Sequence, residues 1–205
     1  MCFYSKQTKQ AVQLENRFNA KVTDMALFEP KEKINGFSHA LTPIITHQDP
    51  KLIQFYNWGL IPHWAKDTKI SNQTLNARIE TLHEKPSYKS YIKNRCLILA
   101  DGFYEWQWLD EKGKQKQQYL IALPNNEAFA FAGIYCAWTD KSNGTTLHTY
   151  TIVTTEANPL MAEIHNTKKR MPVILTPENE HHWLNNQPVE AFAECTIELK
   201  ATAIG

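Results

Sequence analysis

The sequence predicts an α+β protein built around a curved, barrel-like and mostly antiparallel sheet with short peripheral helices. About eight or nine segments have the apolar or alternating pattern of strands, and about three or four short segments between them have a helical pattern. The chain of 205 residues is 42% hydrophobic and 21% charged, which suffices to bury a core. Because no repeat, low-complexity tract or linker divides the pattern, we expect one domain over residues 1–205.

The first third of the chain predicts one helix and several strands. Residues 6–20 have the spacing of a weak amphipathic helix, and residues 21–36 indicate loop and short strand. Residues 37–46 are apolar with Pro43 inside, and because proline cannot donate to a ladder we expect an edge or bent strand. Residues 52–60 are aromatic and branched, which predicts a buried strand.

Strands continue to alternate with loops and short helices over the remainder of the chain. Apolar or alternating runs predict strands at residues 96–100, 103–108, 119–123, 129–138, 148–155, 173–175 and within 191–205. Charged or polar loops are predicted at residues 109–116 and 139–146. Helices are predicted at residues 86–94, at residues 156–164 and after Thr176-Pro177, where the threonine is a typical N-cap.

Charge and cysteine content limit the class of protein. The 22 Lys+Arg and 21 Asp+Glu residues give a net charge of +1, which does not indicate generic nucleic-acid binding but allows a local basic groove. The four cysteines fit neither a zinc-ligand spacing nor a disulfide framework, so we expect a reducing compartment, no metal and no cofactor; they are Cys2, Cys96, Cys136 and Cys195. Without an apolar h-region or an apolar run of about 18 residues, we expect a cytoplasmic protein.

Cys2 directly follows the initiator methionine and is small enough for Met1 to be removed. The mature chain would then carry a thiol and an α-amine on one residue, and with a pKa of about 8 that amine is far less protonated than a lysine. An aldehyde condenses with such an amine to an imine, and the thiol then closes a thiazolidine ring. A thiol titrates at about 8.5, so a small environmental push makes it a thiolate. The alternative is a frayed terminus without function.

A candidate site wall lies in residues 75–80, LNARIE. If this segment is extended, Asn76, Arg78 and Glu80 share one face and the apolar residues share the other. The alternative is a half-exposed strand with a solvated polar face. Trp64, in the loop before this segment, is a partly exposed aromatic that serves either as a binding platform or as satellite core.

Two further candidates are titratable residues with unusual neighbours. Glu105 lies between Tyr104 and Trp106, so it is either exposed or held in a desolvated pocket, where its pKa rises and suits a general acid or base. His165 precedes cations at residues 168–170, which lower its pKa and favour the neutral imidazole. The alternative for His165 is a capping role at a helix end.

Four sequence strings in order, together with a cysteine at position 2, resemble the SRAP family of SOS response-associated peptidase-like proteins. The strings are WGLIPHW at 58–64, NARIET at 76–81, ADGFYEW at 100–106 and RMPVIL at 170–175. Each string is weak alone, but the combination is specific. The resemblance extends from Cys2 to about Trp183 and implies that the predicted α+β domain has the SRAP fold.

The resemblance implies a function in the SOS response and in DNA repair. Members of the family bind single-stranded DNA and crosslink to abasic sites, whose deoxyribose opens to an aldehyde that the aminothiol of Cys2 would trap. By resemblance, Asn76 holds the abasic sugar–phosphate and the terminal cysteine. Glu105 assists proton transfers at the terminal amine, and His165 is the acid/base for ring opening and imine chemistry.

The resemblance also implies the DNA contacts. Arg78 would meet a phosphate, and Trp64 would stack on the bases or wedge beside them, which tolerates any sequence. Lys168, Lys169 and Arg170 would add positive charge near the DNA path. The implied partner is single-stranded DNA containing abasic sites. We expect the protein to be a monomer that does not bind membranes and that is associated with the nucleoid when it is bound to DNA.

The sequence departs from the family pattern in two places. The family usually begins Cys-Gly-Arg, whereas Phe3 and Tyr4 follow Cys2 here, which removes a phosphate contact and reshapes the entrance. In many members Arg-Met-Pro follows the histidine almost at once, whereas residues 166–169 intervene after His165.

Two other functions stay open from the sequence. A cysteine peptidase would use Cys2 as nucleophile, His165 as base and Glu105 to orient it, or the terminal amine as its own base. This fits the description of the family as hydrolases and proteases, which is based on the view that its members cleave off their own propeptide before the cysteine. Here only Met1 precedes Cys2, and a general aminopeptidase would suffice to remove it. A non-catalytic module would bind intact and abasic strands equally. In the crosslinking hypothesis, the imine stage also permits β-elimination, a weak lyase activity.

Overall fold

The computed structural model describes residues 2–194 and 196–205, so Met1 and Cys195 lie outside the described residues. The described chain forms 14 strands and three α-helices. The strands are β1 (Tyr4–Gln7), β2 (Lys21–Val22), β3 (Lys31–Asn35), β4 (Leu41–Thr46), β5 (Leu52–Trp58), β6 (Asn76–Arg78), β7 (Arg95–Ala100), β8 (Gly102–Trp108), β9 (Lys116–Ala122), β10 (Phe129–Thr139), β11 (Thr146–Glu156), β12 (Arg170–Pro172), β13 (Ile174–Leu175) and β14 (Lys200–Ile204). The helices are α1 (Ala11–Phe18), α2 (Pro159–Ile164) and α3 (Pro177–Leu184).

Five strands close into a barrel. Antiparallel pairing joins β5 to β4, β4 to β7, β7 to β10 and β10 to β11, and a parallel pairing of β11 with β5 completes the ring. The short strands β2 and β6 add parallel pairings to β5 and β11. The α+β class and the barrel-like, mostly antiparallel sheet predicted from the sequence are therefore confirmed.

A second, antiparallel sheet fixes the N-terminal end of the chain. Its strand order is β14-β9-β8-β1-β3, so β1 lies between β8 and β3. Tyr4 is opposite Asn35 on one side and Tyr104 on the other. Since β1 begins two residues after Cys2, this double pairing holds Cys2 beside β8, the strand that carries Glu105.

Cys2 lies inside the hydrophobic core. One of two core clusters packs it with Trp58, Leu75 and Tyr150. Trp58 Nε1 donates to the Leu75 carbonyl at 2.8 Å, and the Tyr150 hydroxyl shares a 2.7 Å hydrogen bond with Thr42 Oγ1. These bonds satisfy the polar atoms of a buried aromatic wall around the thiol. The alternative of a frayed terminus is therefore wrong.

Three local predictions are wrong in part. The strand with Pro43 is internal, between β5 and β7, but its ladder with β7 begins at Ile44, so the missing N–H of Pro43 lies outside that ladder. The helix predicted over residues 6–20 is confined to α1, because pairing in β1 outweighs a weak helical propensity. The helix predicted over residues 86–94 is a single 3₁₀ turn, Lys89–Tyr91.

Other elements match their predictions. Thr176 caps α3, where its hydroxyl accepts the backbone N–H of Asn179 at 3.3 Å. Cys96 and Cys136 are buried free thiols, as their apolar surroundings indicated. Along the described residues, no helix has both the length and the apolar character needed to cross a bilayer.

Candidate active site

Asn76 joins the start of β6 to the N-terminal residues. Its Nδ2 donates to the Cys2 carbonyl at 2.8 Å, and the Tyr88 hydroxyl donates to the Asn76 carbonyl at 3.1 Å. The parallel pairing of β6 with β11 fixes the position of Asn76 along the barrel wall, where it pairs with Ile152. Asn76 therefore holds the backbone of the residue that carries the thiol.

The Cys2 thiol is in an environment that keeps it protonated. Burial raises the pKa of Cys2 well above its usual range, and the nearby Glu105 carboxylate raises it further. Its Sγ lies 3.7 Å from the Tyr4 carbonyl. A small environmental push would suffice to give the thiolate, but here the environment acts the other way and favours the protonated thiol, because the thiol is desolvated. A reaction at Cys2 therefore requires a neighbouring proton acceptor.

Glu105 is suited to accept that proton. Only 4% of its surface is exposed, so of the two alternatives predicted for it the desolvated pocket is confirmed. Burial raises the pKa of Glu105 to about 7. A carboxyl group that titrates near neutral pH exchanges protons in both directions at little cost, which is the property of a general acid–base catalyst.

His165 follows α2 and is neutral at physiological pH. Burial lowers its pKa to about 4, and Lys168 and Arg170 act in the same direction, which confirms the predicted neutral imidazole. The backbone N–H of Arg170 donates to Nδ1 at 3.0 Å. The Arg170 carbonyl lies 2.9 Å from the same nitrogen. Nδ1 therefore contacts both the backbone donor and the backbone acceptor of Arg170, which fixes the orientation of the ring.

Arg170, predicted as a DNA contact, is buried in the structure. Its guanidinium donates twice to Glu80, at 2.7 and 2.9 Å, and once to the Thr154 carbonyl at 2.8 Å. These bonds turn the guanidinium away from solvent and fix the backbone that holds His165. In this arrangement Arg170 stabilises the backbone next to His165, and its guanidinium is not available to a phosphate.

Replacing Glu80 with glutamine is expected to lower the free energy of unfolding by about 1–3 kcal/mol at pH 7, since it leaves the buried Arg170 guanidinium with a neutral partner. The partial exposure of Glu80 keeps the loss below that of a fully buried pair. Urea denaturation measures the effect. Glu84→Gln, at an exposed position, is the matched control. Equal losses in both variants would contradict the role of the pair.

Glu105 and His165 open onto one cleft of about 230 Å³. The cleft is lined by Phe3, Glu105, Trp106, Trp108, Lys116, His165, Thr167 and Lys168. The structure thus brings Cys2, Asn76, Glu105 and His165 together at the end of β1. Trp106, Trp108 and Lys116 were not predicted as site residues, although the alternation of aromatic and polar residues along β8 is visible in the sequence.

The predicted DNA-binding residues are divided between two places. Lys168 lines the cleft, Lys169 is exposed next to it, and Arg78 is exposed two residues after Asn76. Trp64, which is 49% exposed, instead lines a separate groove of about 520 Å³ with Lys66, Trp138 and Lys141 among others. The two clefts share no lining residue, so Trp64 is not part of the site around Cys2.

Comparisons with known proteins identify the family of the chain and its relatives. A family model described as SOS response associated peptidase (SRAP) matches residues 1–203. The chain is 54% identical over 129 residues to the abasic site processing protein YoqW of Bacillus subtilis, covering 62% of this chain and 55% of the relative. It is 34% identical over 159 residues to the abasic site processing protein HMCES of Gallus gallus, covering 66% and 46%.

A solved structure gives a likeness over the whole chain. The crystal structure of a protein from Bacteroides thetaiotaomicron superposes with a TM-score of 0.91 at 33% identity, covering 100% of this chain and 92% of that one. The matches to the curated relatives span about half of the length of those relatives.

Proposed function

This chain belongs to the SOS response associated peptidase (SRAP) family, and from that premise we propose that it captures abasic sites in single-stranded DNA through Cys2. Relatives named abasic site processing proteins support abasic-site processing as the general activity. We further propose that the protein acts as a monomer of one domain over residues 1–205. The observation that carries the proposal is that Glu105 and His165 line one cleft, while the buried Cys2 lies close enough to Glu105 to feel its charge and is held through its carbonyl by Asn76.

The chemistry starts with removal of Met1, which frees the Cys2 amine. The amine adds to the aldehyde of the ring-opened abasic sugar, and loss of one water gives an imine. The thiol then adds to the imine carbon, its proton passes to the imine nitrogen, and a thiazolidine results. The net change is one molecule of water released, with no oxidant or reductant. Closure within one residue avoids the entropy cost of bringing two molecules together.

Different side chains of the site assist different steps of this reaction. Glu105 takes a proton from the Cys2 ammonium and returns it to the carbinolamine hydroxyl as water leaves. It then takes the thiol proton and passes it to the imine nitrogen; the raised pKa of the thiol keeps it neutral until the imine has formed. His165 stays neutral and donates a hydrogen bond to the sugar ring oxygen, which takes up the proton of the anomeric hydroxyl as the ring opens. Asn76 holds the Cys2 carbonyl, so the amine and thiol keep one orientation.

Lysine and arginine side chains near the cleft bind the strand in this proposal. Lys168 and Lys169 lie beside His165, and Arg78 lies beyond Asn76 on β6. Trp64 stacks on a base outside the reactive cleft, further along the strand. At the imine stage, removal of a proton from the carbon next to the imine carbon expels the phosphate at the β position. This β-elimination competes with ring closure and gives a weak lyase activity.

A cysteine peptidase has less support from the site. A thiolate nucleophile needs a lowered thiol pKa, whereas burial raises that of Cys2. A histidine base needs a pKa near neutral pH, whereas burial lowers that of His165 to about 4.

Mass spectrometry of the protein mixed with an oligonucleotide that contains one abasic site tests the proposal. The expected species has the mass of the protein without Met1 plus the DNA minus one water, and it maps to Cys2. An undamaged strand and a strand with a tetrahydrofuran abasic analogue, which has no aldehyde, are the controls. Absence of an adduct from protein shown to begin at Cys2 would refute the proposal.

A further inference from the structure

We infer that Lys33 and Lys116 form a phosphate-binding platform at the rim of the cleft, where the backbone of single-stranded DNA next to the reacting nucleotide lies. This inference rests on the proposed function for its ligand. It concerns residues that neither the sequence strings nor the reaction steps use.

Lys33 is held in place by three aromatic rings. Its Nζ lies 5.0 Å from the ring centre of Tyr4, 5.1 Å from that of Tyr104 and 5.3 Å from that of Trp106. The rings come from β1 and β8, and Lys33 comes from β3, so the order of the second sheet creates the cage. The negative faces of the rings attract the ammonium and limit its movement.

Lys116 is held in the same way further along β8. It is opposite Trp108 in the β8–β9 ladder, and its Nζ lies 5.0 Å from the Trp108 ring centre. Trp106 and Trp108 are two residues apart and share one face of the strand, so the two anchoring rings are separated by about 7 Å of backbone. Both tryptophans line the cleft of Glu105 and His165. Lys116 itself lines that cleft, and Lys33 is joined to it through the ring of Trp106.

The charges of both lysines are available to a ligand. Both side chains are exposed, and among the described residues neither has a carboxylate within 4.0 Å. The nearby Glu32 is engaged by Lys6 at 3.3 Å and by the Tyr104 hydroxyl at 3.2 Å. An aromatic ring covers one side of each ammonium and carries no charge to neutralise it. An anion is thus the complementary ligand, and a phosphodiester that reaches the cleft supplies one.

The nature of the ligand follows from the same surface. Phe3 lines the cleft, and its ring centre lies 5.2 Å from that of Phe37, which is 47% exposed. Phe3 is half-buried and lines the same cleft as Lys116, and aromatic rings together with cations are the combination that binds unpaired bases and their phosphates. A free phosphate or a folded protein partner would use the lysines without the aromatic pair. The platform therefore fits a single strand of nucleic acid.

Equilibrium binding of an undamaged single-stranded oligonucleotide, measured by fluorescence anisotropy over a series of salt concentrations, tests the platform. Lys33→Ala and Lys116→Ala are each expected to weaken binding roughly threefold to tenfold and to reduce the slope of log K against log salt by about 0.7. Lys33→Arg is expected to keep the slope. Lys93→Ala, which removes an exposed lysine of the turn after Lys89–Tyr91, is the matched control and should keep the slope as well.

Unchanged slopes in Lys33→Ala and Lys116→Ala, or an equal reduction in Lys93→Ala, would overturn the platform. Thermal denaturation of each variant separates lost binding from lost folding. The undamaged strand forms no crosslink, so this assay is independent of the chemistry at Cys2. Reduced slopes without any crosslinking to abasic DNA would leave the platform standing and remove the proposed function. Normal crosslinking with unchanged slopes would support the proposed function and overturn the platform.

Discussion

Cys2→Ala is expected to abolish the adduct with abasic DNA that survives denaturation, while reversible binding to the same strand changes by less than about threefold. Alanine also permits removal of Met1, so the variant keeps an α-amine at the same place. That amine still forms an imine, but without a thiol the imine cannot close to a ring and hydrolyses again. Borohydride is therefore expected to trap an adduct of the variant that is absent without the reductant.

Denaturing electrophoresis with and without borohydride measures this outcome. Cys96→Ala is the matched control, because it removes another fully buried thiol and leaves the terminal aminothiol intact. The control should crosslink at the normal yield if it is folded. An adduct of Cys2→Ala that resists denaturation without borohydride would exclude the thiazolidine. A loss of reversible binding in Cys2→Ala would instead assign the thiol to DNA recognition.

Residues that the structure brings together around Cys2 could be predicted from sequence because each has a distinctive local context. Cys2 has its terminal position, Glu105 its aromatic neighbours and His165 its following cations. Those neighbours left Glu105 either exposed or buried, and the structure shows it buried with a raised pKa. The lowered pKa of His165 is as predicted, but its main cause is burial, and the following cations add a smaller effect. The raised pKa of the Cys2 thiol could not be predicted, since it depends on β1 drawing the terminus into the core.

Features that depend on pairing between distant segments escaped prediction. Arg170 looks like one more surface cation in the sequence, yet its partner Glu80 lies 90 positions away. Tyr4 looked like the loss of a cation at the entrance. The register of β1 with β3 and β8 shows that Tyr4 instead contributes a ring to the cage of Lys33. These contacts depend on the order in which strands pair, and a local sequence pattern does not predict that order.

Glu105→Gln is expected to slow crosslinking by roughly 10²-fold at pH 7.5, with DNA affinity nearly unchanged, because glutamine cannot accept the protons of the amine and thiol. With the pKa of Glu105 at about 7, its basic form increases as pH rises through neutrality. The wild-type rate should therefore rise from pH 6 to pH 8, and the variant should keep only the rise due to the α-amine, centred at about 8. Single-turnover rates across this range give the result, and superimposable pH profiles would rule out Glu105 as the base.

The same substitution has an opposite consequence for stability. The carboxyl group of Glu105 ionises near 4.5 in the unfolded chain and at about 7 in the folded protein, so the folded state holds its proton more tightly. The folded protein therefore loses up to about 3 kcal/mol of stability from this group as pH rises from 4.5 to 7. Glu105→Gln has no such loss. The stability of the variant minus that of the wild type should therefore be larger at pH 8 than at pH 5. His165 contributes the reverse trend between pH 4 and 6.5 in both proteins, so it cancels when the two denaturation curves are subtracted. A variant that crosslinks slowly while gaining stability at high pH would show that the buried carboxyl is maintained for chemistry at the expense of the fold.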